Sequence, residues 1–78
     1  MYHYVLRCDR LFSEDIGSYV AYGLDVLDET HTCISTIRDI TTDKAALAHL
    51  VELCNSLQLS PVHIHDVVED FVEHGLLV

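Results

Sequence analysis

Tryptophan is missing from this chain, proline occurs once and glycine three times, and only Arg7, Arg10, Arg38 and Lys44 carry a fixed positive charge. Each scarcity excludes something. With so few chain breakers there is no linker or low-complexity tract, and the 50% hydrophobic content argues for a packed globule rather than a disordered segment. With so few cations, the counterion release that drives nonspecific nucleic-acid binding has almost nothing to work with. No run of about 18 apolar residues is present, so no helical membrane span is expected, and no basic-then-apolar leader is seen. A soluble, cytoplasmic protein is the expectation. Cys8, Cys33 and Cys54 are odd in number and form no CxxC pair, which fits reduced thiols better than a disulfide framework. Gly17 and Gly23 stand alone and build no phosphate-binding loop.

What the chain does have in quantity is acid. Thirteen Asp and Glu against four Lys and Arg give a net charge of −9, in a sequence whose mean hydropathy is nevertheless +0.25. Its 78 residues make a single domain, 1–78. A domain of this size leaves roughly a third of its unfolded surface exposed, so the core is small and a deep catalytic cleft is hard to build. The expectation is a protein that is not an enzyme and carries no cofactor.

Periodicity divides the domain into a sheet over residues 1–40, a first helix over 42–58 and a second over 60–75. Tyr2 to Cys8 alternates as a first strand, with Tyr2, Tyr4, Leu6 and Cys8 on one face and His3, Val5 and Arg7 on the other. Asp9 to Ser18 is acidic and contains Gly17, so it reads as a connection, although Leu11 and Phe12 could prolong the strand, and Phe12 needs burying. Tyr19 to Leu27 alternates cleanly, with Val20, Tyr22, Leu24 and Val26 opposite Ala21, Gly23 and Asp25. Asp28 to His31 supplies a polar turn, and Thr32 to Ile40 a third strand. Ile34 and Ile37 are three apart and cannot share a face of a regular strand, so a bulge, a twist or an early end to pairing is expected there.

Thr41 and Thr42 ahead of Asp43 read as a helix cap followed by an acid in the first turn. In KAALAHLVELCNSL the positions Ala46, Leu47, Leu50, Val51, Leu53, Cys54 and Leu57 form one arc, and Lys44, Ala48, His49, Glu52 and Asn55 the other. In SPVHIHDVVEDFVEHG, Ser60 is a good N-cap, Pro61 fits the first turn and Gly75 can close the end. There Ile64, Val67, Val68, Phe71 and Val72 fall on the core arc, while Asp66, Glu69, Asp70 and Glu73 gather on the opposite one. The predicted fold is therefore α+β: a three-stranded antiparallel β-meander followed by two packed α-helices, β-β-β-α-α.

The acidic arc is the candidate interaction surface: Asp66, Glu69, Asp70 and Glu73, with His63 beside them. His63, His65 and His74 border that arc, where an imidazole can hydrogen-bond a carboxylate. Metal binding is not expected, because residues two apart on a helix diverge by about 200° and His63 and His65 cannot chelate together. His65 with Glu69 and Asp66 with Asp70 are spaced i, i+4, but no nucleophile or desolvated pocket accompanies them, so acid–base catalysis is not supported. A thiol–imidazole pair between Cys8 or Cys33 and His3 or His31 is equally a coincidence of composition.

Residues 52–78, through Leu57, Leu59, Ser60 and Gly75-Leu76-Leu77-Val78, resemble the helix-turn-helix of winged-helix regulators. That resemblance implies DNA binding, yet the would-be recognition helix offers four acids and no Lys or Arg, and no wing strand follows. More broadly, YGLDVLDE, IRDITTDK and LVELCNSLQLSPVHIHDVVEDF resemble a family of small uncharacterised proteins from Gram-positive anaerobic bacteria and their phages. The resemblance implies a free-standing bacterial or phage domain and gives no residue a role. Together these readings lead to a non-catalytic acidic protein-binding module that docks on a basic protein surface, such as an inhibitor mimicking nucleic acid, of the anti-CRISPR or anti-defence type. Direct nucleic-acid and membrane binding are not expected. The alternatives are a winged-helix-like regulator and a structural homodimer packed through the uncovered sheet face or the Leu76-Leu77-Val78 tail.

Overall fold

A computed structural model describes residues 1–75, and the tail at 76–78 named above lies outside the described residues. Strands β1 (His3–Ser13), β2 (Gly17–Leu27) and β3 (Cys33–Thr41) form one antiparallel sheet in the order β1-β2-β3. Helix α1 (Lys44–Ser56) follows, and a single 3-10 turn at Pro61–His63 leads into α2 (Ile64–His74). This is the α+β meander and helix pair that the periodicity predicts.

The sheet is longer than the sequence pattern suggests. β1 runs on through Asp9–Ser13, and the β1–β2 register is unbroken from His3 opposite Leu27 to Ser13 opposite Gly17. The polar residues after Cys8 do not break the strand because Asp9 and Arg10 are paired on a long hairpin, where backbone ladder bonds outweigh weak local preference. Gly17, at φ +78°, takes the left-handed position that closes the three-residue turn. Phe12, expected to be buried, is instead 73% exposed near the hairpin tip.

Both helices cover one face of the sheet. Tyr4, Leu24 and Val26 from the strands meet Leu47, Leu50, Val51 and Cys54 of α1 and Ile64, Val68 and Phe71 of α2 in one cluster. Ile64, Val68 and Phe71 are spaced i, i+4, i+7, the stripe that faces a core. Three residues assigned to core arcs lie outside it: Leu53 of α1 is only half-buried, while Leu57, the C-cap of α1, and Val72 of α2 are largely exposed. Among the described residues no second layer receives them.

The bulge expected near Ile34 is present. Leu27 faces Cys33 and Val26 faces Ser35, so Ile34 is the extra residue, exposed, while Ile37 turns in opposite Leu24. A second irregularity follows, with Leu24 opposite Ile37 but Tyr22 opposite Thr41. Gly23 permits it: a Cβ there would collide with the Ile37 carbonyl oxygen and lie 3.0 Å from the Arg38 Cα.

The caps differ in detail from expectation. Asp43 is itself the N-cap of α1, its carboxylate accepting from the Ala46 N–H at 3.1 Å, and the Thr41 hydroxyl accepts from the Asp43 N–H. Ser60 makes no side-chain cap, because the chain winds first through the 3-10 turn. α1 ends in a Schellman arrangement: Leu59 N–H reaches the Cys54 carbonyl, Gln58 N–H reaches Asn55, and Gln58 takes φ +52°. This sharp stop swings Leu59 back onto the core.

Candidate functional site

Two polar surfaces result, one on each side of the molecule. On the outer face of α2, Asp66, Glu69, Asp70 and Glu73 line one shallow depression, as their i, i+3 and i+4 spacing requires. All four are exposed. No Lys or Arg pairs with any of them among the described residues. His74 is a basic neighbour, its Nε2 3.6 Å from Glu73 and 4.0 Å from Asp70. His63 lies in the 3-10 turn at the start of the helix, exposed and without a side-chain hydrogen bond among the described residues. Of the five candidate residues, the fold therefore gathers the four carboxylates and leaves His63 at their N-terminal end.

Such a row costs the helix something. Asp66–Asp70, Glu69–Glu73, Asp66–Glu69 and Asp70–Glu73 are all like-charge neighbours, each unfavourable by about 0.2–0.5 kcal/mol. Only Asp66, in the first turn, gains from the helix dipole, while Glu73 sits in the last turn where negative charge is disfavoured.

The outer face of the sheet is built the opposite way. Arg7 and Asp9 alternate along β1 on the face away from the helices, joined by an ion pair at 2.9 Å, and Arg7 also reaches Asp25 on β2 at 3.0 Å. Arg38 on β3 reaches back to Asp9 at 3.4 Å. That last contact crosses the middle strand above Ala21, the register partner of Asp9, and Ala21 is fully buried beneath it. Small residues at Ala21 and Gly23 leave room for the bridge. Thr36 donates to Asp25 at 2.7 Å, and Tyr19 donates to Asp39 at 3.1 Å. The hydrogen bond from Arg7, with the positive charge of Arg38, holds the Asp9 carboxyl below the usual carboxylate range despite its partial burial. The uncovered sheet face is thus covered by its own charges, two cations against two carboxylates.

Asn55, placed by periodicity on the solvent arc of α1, is in fact half-buried. Its side-chain amide accepts from the Tyr4 N–H and donates to the Tyr4 carbonyl, both at 2.8 Å, so it pairs with the edge of β1 as a neighbouring strand would. Nearby the Tyr4 hydroxyl donates to the Leu59 carbonyl at 2.6 Å. Burial, reinforced by nearby Cys54 and Tyr2, raises the Tyr4 phenol, and burial likewise raises the Cys54 thiol. Neither the ion network nor this clasp was identified from sequence. The i, i+2 spacing of Arg7 and Asp9 on a strand was the available signal for the first, and nothing local signals the second.

Among the described residues, the thiol–imidazole pairs considered above do not form. His3 stacks on His31, with ring centroids 5.6 Å apart, while the Cys33 thiol contacts Ser35 and Thr36 rather than an imidazole. Among the described residues no three His, Cys, Asp or Glu side chains converge to hold a metal ion, and no helix is long and apolar enough to cross a membrane.

Residues 1–74 match the model of a family of unknown function, DUF6514. The chain belongs to that family. Nothing among curated proteins and nothing among solved structures matches it. Membership covers the sheet, α1 and the whole of α2, so the acidic row lies within the family's extent and not in an appendage to it.

Proposed function

We propose that this DUF6514 domain is a non-catalytic, cytoplasmic docking module that presents the outer face of α2 to a basic surface on another protein. One observation carries the reading: the sheet face pairs its charges internally, whereas Asp66, Glu69, Asp70 and Glu73 share one exposed depression with no Lys or Arg partner among the described residues. Charges arranged so, at some cost to the helix, steer a positively charged partner and define how it docks. A nucleic-acid channel is one such basic surface, and an inhibitor that occupies one, as an anti-defence protein would, is the specific form of the proposal.

The test is a crosslinking pull-down from the native host, followed by titration of the captured protein with the wild-type domain and with an Asp66→Lys, Asp70→Lys variant. The variant is expected to bind at least about tenfold more weakly. Wild-type affinity is expected to fall with added salt, and an oligonucleotide to compete for the partner. Equal affinity for both proteins across the salt series overturns the proposal.

A further inference from the structure

The two edges of the sheet are not alike. β3 is interrupted by the bulge at Ile34 and by the second irregularity before Thr41, where Asp39 takes φ +55°. Such kinks blunt an edge. β1 is eleven residues of unbroken register. Its outward-facing groups can be identified from Asn55: because the Tyr4 N–H and carbonyl point to that amide, they point away from β2, and the antiparallel alternation then directs those of Leu6, Cys8, Arg10 and Phe12 outward as well. Asn55 closes the edge at Tyr4. Beyond it, no side chain among the described residues takes the outward groups of Leu6, Cys8 or Arg10.

We infer that this open stretch pairs with the same stretch of a second copy, antiparallel, with Cys8 on the twofold axis. The choice of occupant rests on charge complementarity along the strand. For a strand to pair with itself through outward-facing groups, the axis must pass through one residue. An axis at Cys8 sets Arg7 of each copy opposite Asp9 of the other and Val5 opposite Leu11. An axis at Arg7 or Arg10 brings like arginines face to face, and one at Asp9 opposes two aspartates. The Cys8 register therefore extends the ion network of each sheet face across the junction, and it adds ladder bonds at Leu6–Arg10, Cys8–Cys8 and Arg10–Leu6. Pairing ends at Leu6 because Asn55 occupies the next outward position. The result is an isologous dimer with a six-stranded sheet, both α2 faces remaining outside the junction.

The test uses the full chain in three forms. Sedimentation of the wild type is expected to show a concentration-dependent monomer–dimer equilibrium. Cys8→Pro deletes an outward N–H while sparing the β1–β2 ladder, since proline is tolerated on an edge strand, and is expected to weaken association by at least about tenfold. Should that variant fail to fold, Cys33→Ser decides the matter: opposed strand residues lie within disulfide reach, so mild oxidation should link two chains through Cys8, to an extent that saturates as the dimer does. A monomer mass at the highest concentration, a dimer indifferent to Cys8→Pro, or a dimer that forms no Cys8–Cys8 link overturns the inference.

Discussion

The outer face of the sheet and the outer face of α2 are both strongly polar and both exposed, yet they treat charge in opposite ways. On the sheet, Arg7, Arg38, Asp9 and Asp25 sit on three different strands and are tied into one network over a floor of Ala21 and Gly23. On α2, four carboxylates rise from a single helix with no Lys or Arg partner among the described residues. Charges in the first set help hold the strands in place. Those in the second, apart from the helix-dipole gain at Asp66 and the neighbouring His74, oppose the fold slightly through like-charge repulsion. The difference teaches where to look for activity: charge that contributes to stability has a structural reason to be there, and charge that does not requires another.

The sharpest way to break this contrast is at the floor of the network. Gly23→Ala places a Cβ against the Ile37 backbone and must push β3 away, displacing Arg38 from Asp9. Overpacking of this kind costs about 1–3 kcal/mol, and the expected outcome is a lowered thermal midpoint in a protein whose α2 face is unaltered. Next in size is Asp9→Asn. Because the folded-state pKa of Asp9 is depressed, its contribution to stability is fully present above the unfolded value of about 4 and is lost as pH falls through the lower folded value. The variant is therefore expected to be less stable at neutral pH and to show a flatter acid limb when chemical denaturation is followed from pH 7 downward. An acid limb as steep as the wild type would show that Asp9 is not part of a stabilising network.

The smallest expected change is in the stability of a variant with Asp66→Asn, Glu69→Gln, Asp70→Asn and Glu73→Gln. Its stability should stay level or rise, by up to about 1 kcal/mol once the like-charge pairs are gone and the smaller gains at Asp66 and His74 are lost with them. A fall of the size seen in the sheet-face variants would mean that the α2 row is structural after all, and the contrast would collapse.

Much of the architecture was legible because it depends on periodicity. Alternation in Tyr19 to Leu27 and the Ile64, Val68, Phe71 stripe each report a buried face directly, and the three-residue gap between Ile34 and Ile37 announced a bulge. Where expectation failed, the deciding partner was distant in sequence. Asp9 to Ser13 looks like loop until paired with Gly17 to Ala21, Asn55 looks like a solvent residue until it meets Tyr4, and Leu57, Val72 and Phe12 look buried although no second layer among the described residues covers them. The grouping of the four carboxylates on one exposed face was legible because all four lie within eight residues of one helix.

By itself, then, the sequence determined the order of elements, the faces of β2 and α2, and the grouping of the α2 carboxylates, since each follows from spacing within a single segment. Only the tertiary structure decided which charges would be neutralised. Arg7, Asp9, Asp25 and Arg38 are spread over three strands, and nothing local to any of them reveals that β1 and β3 flank a strand thin enough for Arg38 to reach Asp9. It was likewise the packing of α1 that closed the edge of β1 at Tyr4 and left the remainder open, because a helix side chain can occupy a strand's outward groups only where the two elements cross.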